Sequence, residues 1–361
     1  MEREKENILK RRISGVRKSM EEHGIEMFLV SKEENRNYLS MFYSTSFDIV
    51  IGREKNWLLT DFRYLEAAEE SKPLFEVVQV SGEYGLTEFL KEKNPQSLGI
   101  ERSVITVKEY DGIREVIPSC DFISADGIVE KSRVIKDDGE LEKIRQAAKI
   151  ADIAFSYILD RIRPGVSERE IAWLLERKMR EEGASALSFD TICASGVRSS
   201  MPHAHPTDAL IENGDFVTMD FGCVFEGYCS DMTRTVAVGS VSDEQKEIYR
   251  IVLEAQRHTC DVIRAGMTGR QIDAAARDII AAAGFGQCFG HALGHGVGLE
   301  IHEAPTANPR STEIFEKNMM ITVEPGIYIP KKFGVRIEDL SIVGDTGIIN
   351  LVNSEKELII L

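Results

Sequence analysis

The chain has 361 residues, 43% of them hydrophobic, and a formal net charge of −16. That length predicts about two domains of roughly 100–200 residues, and the apolar content excludes wholesale disorder. The acidic balance excludes nucleic acid and anionic membranes as partners, because both need a basic face.

The first segment, MEREKENILKRR, is charged and has none of the apolar character of a secretory leader. No run approaches the ~18 apolar residues of a membrane span. Six cysteines, Cys120, Cys193, Cys223, Cys229, Cys260 and Cys288, show neither metal-knuckle nor redox spacing. Reduced thiols in a cytoplasmic protein are therefore expected.

In chain order, Ile8, Leu9, Ile13, Val16 and Met20 mark one side of an amphipathic helix that stops near Gly24. A short strand follows at 25–30, an extended pair within 49–60, a helix around 62–71 and a strand at 75–80. This alternation predicts a small α/β domain over residues 1–136. It holds no glycine-rich phosphate loop, and its one histidine is His23. A polar turn at Lys136-Asp137-Asp138-Gly139 precedes a long helix starting near Glu140, so a second domain is expected over 137–361.

Within that second part the chain repeats itself. Ile162-Arg163-Pro164-Gly165-Val166-Ser167-Glu168-Arg169-Glu170-Ile171 aligns with Ile263-Arg264-Ala265-Gly266-Met267-Thr268-Gly269-Arg270-Gln271-Ile272. Each copy ends one helix at a glycine and begins another at an expected capping box, Ser167 with Glu170 and Thr268 with Gln271. The second helices also stop in register, at Gly183 and Gly284. Two related α/β halves would place a cleft where they meet, a common location for a site.

Five residues from the two halves carry the chemistry: Asp220 and Asp231, then His295, Glu324 and Glu338. Four carboxylates and one imidazole suit two hard or borderline divalent cations side by side, because carboxylates bridge. Two such ions about 3.5–4 Å apart polarise a carbonyl and activate a water, which is hydrolase chemistry. Strand parity supports the first pair. A two-residue turn at Glu226-Gly227 puts Asp220 opposite Thr233 and Asp231 opposite Gly222, so both aspartates project to one face; a three-residue loop would separate them. Asp220 also sits in an apolar run, where an unpaired charge is costly. His291-Ala292-Leu293-Gly294-His295 has the histidine spacing of a zinc helix but lacks the glutamate of HExxH, so a loop or turn is expected there. Glu324 ends an apolar strand at Pro325-Gly326. Arg336 shares a face with Glu338 and is placed to orient it, an exposed ion pair being the alternative.

The phrases PHAHP, MDFG with SDMTRT, HALGHGVGLEIHEAP, VEPG and GVRIED resemble those of the M24 metallopeptidases. The likeness covers about residues 139–361, and the preceding part is similar to the N-terminal domain of creatinase, aminopeptidase P and prolidase. It implies an α+β architecture: a pita-bread catalytic domain of two pseudo-symmetric halves behind a smaller creatinase-like α/β domain. It further implies that Asp231 and Glu338 bridge two metal ions, with Asp220 on one and His295 and Glu324 on the other. Glu324 would act as general base and then acid. His203 would lie near the scissile amide nitrogen, His302 would stabilise the developing oxyanion, and His291 would line the pocket for the residue after the cut. One departure is Phe189, where some aminopeptidase P members carry a tyrosine joined to the arginine network.

The implied activity is that of an Xaa-Pro aminopeptidase acting on small peptides with proline second. An Xaa-Pro dipeptidase (prolidase) is the alternative, and a silent binding protein or a metal-free creatinase-like hydrolase are further readings. Manganese is the expected metal, with cobalt, iron and zinc as alternatives, and the family implies a homodimer.

Overall fold

Alternating apolar residues explain the first layer of structure. A computed structural model describes residues 2–71 and 74–361, which divide into two compact units, Met1–Arg133 and Val134–Leu361. In the first unit the helix Glu2–Glu22 buries Leu9, Ile13, Val16 and Met20, the stripe expected from their spacing. A six-stranded mixed sheet forms the centre, in the order 76–80, 56–61, 47–52, 27–30, 97–100, 121–124. Leu29, Val50 and Leu98 pack on one face with Phe89 and Ile113, while Phe28, Ile49 and Ile51 are buried on the other. Helices on both faces leave neither exposed, which is why these strands read as continuous apolar runs. The helix Glu33–Ser40 has no side-chain cap of its own. Buried Glu101 supplies one from far along the chain, accepting from Ser31 N at 2.6 Å and Lys32 N at 2.7 Å.

The second unit starts with the helix Asp138–Leu159, capped reciprocally by Asp137 and Glu140. Two apolar cores follow from the repeat. One packs this helix and Glu168–Glu181 against the strand Phe216–Phe221. The other packs Asp243–Val262 and Gly269–Ala282 against Met320–Val323.

The two halves share their backbone wiring. Gly165 N, Glu168 N and Arg169 N donate to the carbonyls of Ile211, Ala209 and Thr207, and Gly266 N, Gly269 N and Arg270 N donate to those of Phe315, Glu313 and Ser311. Isolated bridges Ser167–Leu210 and Thr268–Ile314 match as well. The caps differ in one detail from the sequence expectation. Thr268 and Gln271 form the full capping box, whereas Ser167 accepts from Glu170 N but exposed Glu170 does not reach back.

The hairpin that sets parity is built as expected. Phe225 pairs with Tyr228 and Val224 with Cys229, leaving Glu226 (φ 46°) and Gly227 (φ 87°) as the loop. Both φ values are positive, as a type I′ turn requires. Thr233 pairs with Asp220 further along.

Candidate metal centre

Asp220 lies near the end of the strand Phe216–Phe221, and Asp231 just precedes Met232–Ala237. From the other half, His295 is the middle residue of Gly294–Gly296, Glu324 follows Met320–Val323, and Glu338 precedes Asp339–Val343. These side chains, with His203, His291, His302 and Arg336, line one cavity of about 720 Å³. His291-to-His295 is loop and short strand rather than helix.

The chemistry of the donors is one-sided. One ligand atom from each of Asp231, His295 and Glu338 falls within 4.8 Å of the others. His295 Nδ1 is 3.1 Å from the Gly296 carbonyl, which can only accept, so Nδ1 carries the ring proton. Burial, then His302, lowers the His295 pKa to about 4. The neutral ring therefore turns the Nε2 lone pair toward Asp231 Oδ2 at 3.6 Å and Glu324 Oε1 at 3.5 Å. Facing lone pairs in a buried cleft are reconciled either by protons that the carboxyls retain or by a cation that displaces them.

The carboxylates say the same. Burial, then Glu338 and Asp220, raises the pKa of Asp231 well above its ordinary value. Burial with Glu324 and Asp220 does so for Glu338. Glu324 is pushed up to about 8, mainly by burial, with Arg336 opposing. Asp220 Oδ1 is buried without a hydrogen-bond partner. Four carboxylates meet a single guanidinium here, so the donor set fits two divalent cations.

Arg336 is a buried hub rather than a surface ion pair. Its Nη2 donates to Asp220 Oδ2 at 2.5 Å and its Nε to Thr233 Oγ1 at 2.9 Å. Thr233 Oγ1 donates onward to Glu338 Oε2 at 2.6 Å. Arg336 Nη1 donates to Tyr328 Oη at 2.9 Å, and Tyr328 lies 3.0 Å from His291 Nε2. Because His291 Nδ1 faces the Ala292 carbonyl, Tyr328 is the donor to Nε2. Tyr328 takes up the arginine with Phe189 in the lining. Thr233 and Tyr328 escaped the sequence reading, as did His205, which also lines the cavity. The second histidine of PHAHP was the available signal for His205; Thr233 and Tyr328 had none beyond the pairing register.

Backbone packing aims His295. A Cβ on Gly294 would fall 1.9 Å from the Thr322 carbonyl oxygen, and His295 N donates to Thr322 Oγ1 at 3.0 Å. Gly294→Ala must therefore push two strands apart. We expect it to lose about 1–3 kcal/mol of stability and to weaken manganese binding; melting and calorimetry indistinguishable from the parent would contradict this contact.

Comparison with known proteins assigns both parts of the chain to known families. Residues 12–135 match the Creatinase/Prolidase N-terminal domain, and residues 142–345 match metallopeptidase family M24. The chain is 39% identical over 356 residues to the Xaa-Pro dipeptidase of Pyrococcus furiosus, covering 97% of this chain and 100% of that protein. The solved Xaa-Pro dipeptidase from Bacillus anthracis has a TM-score of 0.95 and 47% identity, covering 98% of this chain and 100% of that one. The X-Pro aminopeptidase of Thermotoga maritima has a TM-score of 0.88 and 38% identity, covering 95% and 100%. With a creatinase-type unit followed by two pseudo-symmetric halves that converge on one acidic cleft, this chain belongs to metallopeptidase family M24.

Proposed function

We propose that the protein hydrolyses the peptide bond preceding proline, with an Xaa-Pro dipeptide as its substrate. The observation that carries the hydrolytic reading is the convergence of His295 with Asp231 and Glu338. In this reading Asp220, Asp231, His295, Glu324 and Glu338 would together hold two divalent ions, manganese first among the candidates. When bound, the ions polarise the scissile carbonyl and acidify the attacking water. Glu324 takes the proton from that water and returns it to the departing proline nitrogen. His302 donates to the carbonyl oxygen as negative charge develops. His203 sits at the scissile nitrogen, and His291, held by Tyr328, lines the pocket for the proline. The reading includes a cytoplasmic homodimer; no helix among the described residues is long and apolar enough to cross a membrane.

The dipeptide reading rests on relatives at 39% and 47% identity that bear the name Xaa-Pro dipeptidase. An aminopeptidase reading is favoured by one feature of the cavity. Its described lining offers no lysine or arginine except Arg336, which is engaged with Asp220, so no free cation there awaits a dipeptide's terminal carboxylate. Hydrolysis of an Xaa-Pro dipeptide and an Xaa-Pro-Yaa tripeptide by manganese-loaded protein separates the two. Chelator-sensitive cleavage of the dipeptide alone is the expected result. Efficient cleavage of the tripeptide would establish the aminopeptidase, and cleavage of neither would overturn both.

A further inference from the structure

Glu168 is completely buried, lines no part of the cavity, and has no part in the chemistry above. Yet it is among the most heavily hydrogen-bonded side chains in the second unit. Its Oε1 accepts from Ser195 N at 2.8 Å and Ser195 Oγ at 3.2 Å. Its Oε2 accepts from Thr207 N at 3.0 Å and Thr207 Oγ1 at 2.8 Å. Arg198 Nε lies 3.1 and 3.0 Å from the two oxygens, and Arg198 Nη2 donates to the His205 carbonyl at 2.7 Å. One carboxylate thus joins both feet of the segment 196–206, which carries Pro202, His203 and His205 into the cavity. The crown of that segment is pinned separately, by Arg336 Nη1 to the Pro202 carbonyl at 3.2 Å.

The internal repeat distinguishes this device from ordinary scaffolding. The counterpart of Glu168 is Gly269, which makes the same backbone hydrogen bond, to Glu313, as Glu168 makes to Ala209. A Cβ on Gly269 would fall 2.1 Å from the Thr306 carbonyl, so no side chain fits there. The turn and its helix therefore form without a carboxylate in one half. In the half that carries His203 and His205 a carboxylate clasps the segment, whereas in the half that carries His291, His295 and His302 the Thr306 carbonyl packs directly against Gly269. We infer that Glu168 is a positioning residue that sets the place of His203 in the cleft. This rests on the proposed role of His203 in peptide hydrolysis.

Glutamine cannot substitute for it. Turned either way, its NH2 group would face a backbone N–H, that of Ser195 or of Thr207, and the Arg198 Nε–H as well. One foot of the segment comes loose. A displacement of about 1 Å in a positioning group costs on the order of 10²-fold in rate.

The test is a double-mutant cycle in the manganese-loaded, full-length protein: Glu168→Gln, His203→Ala and both together, each assayed for kcat, KM, melting temperature and manganese affinity. We expect Glu168→Gln to lower kcat by about 10–100-fold with manganese affinity unchanged, because no ligand lies on the segment. In the His203→Ala background the same change should cost less than about twofold. Multiplicative losses would overturn the inference while leaving the function intact. Full activity in His203→Ala would overturn both the role of His203 and the inference. Should Glu168→Gln fail to fold, Arg198→Gln and Thr207→Val remove single arms of the clasp. The same non-additivity with His203→Ala is then expected, and additivity there counts against the inference equally.

Discussion

Glu338→Ala will abolish peptide hydrolysis, with a loss on the order of 10³-fold or more, and will bind fewer manganese ions than the parent. Groups that merely orient metal ligands are worth about 10–100-fold, and a carboxylate that itself holds metal, the role proposed for Glu338, must exceed that. The substitution is a clean probe because the backbone at this position is held independently of the side chain. Arg234 Nη1 donates to the Glu338 carbonyl at 2.5 Å, and Glu338 N donates to the Thr233 carbonyl at 3.1 Å. Arg234 is itself fixed by Asp339 Oδ1 at 2.8 Å and by the carbonyls of Ser354 and Glu355. Asp339 in turn accepts from Gln256, Asn350 and Lys356. A fully satisfied buried network of this kind keeps its geometry when a neighbouring side chain is shortened. Isothermal calorimetry should show reduced manganese stoichiometry, and the stabilisation by manganese in thermal melts should shrink accordingly. Full activity with two ions bound would remove Glu338 from the centre.

How much of this could be read from residues alone depended on the range of the interaction. The placement of Asp220 and Asp231 on one face needed only a turn type and the two-residue period of a strand, and the turn at Glu226-Gly227 supplied both. The helix punctuation at Ser167 and Thr268 is local too, and it exposed the repeat; whether Glu170 closes its box depends on side-chain orientation, which spacing does not specify. The mixed strand order of the first unit is not local, since 27–30 pairs with 47–52 on one side and with 97–100 on the other. The same limit hid the supporting side chains. Thr233 serves Glu338 and Arg336 across more than 100 positions, and Glu168 serves residues from 27 to 39 positions away. Nothing in the neighbouring letters of an isolated threonine or glutamate announces such partners. Hydroxyls and carboxylates that position others look, in sequence, like those on any surface.

Glu324 yields the second large effect, and its sign follows from linkage. In the unfolded chain this carboxyl titrates near its ordinary 4.5, while burial raises it to about 8 in the folded protein. Between those values the folded state binds more protons than the unfolded one, so stability falls as pH rises. Protein stripped of metal with a chelator should therefore be most stable below about pH 4.5 as far as this group is concerned, and should lose that contribution progressively up to about pH 8. At about 1.4 kcal/mol per unit of displacement, the loss is of the order of a few kcal/mol. That corresponds to a fall of roughly 10–20 °C in melting temperature for a unit of this size. Asp231 and Glu338 are displaced in the same direction, so Glu324→Gln should reduce the fall without erasing it. Saturating manganese should reverse the trend, because cation binding displaces the retained protons and strengthens with pH. Melting curves of chelated parent and Glu324→Gln from pH 5 to 8 decide the matter. An equal fall in both would show that Glu324 carries none of this charge strain. A chelated parent that gains stability across the window would mean that the acidic cluster is not the dominant electrostatic feature of the fold, and that its carboxylates do not need two cations to balance them.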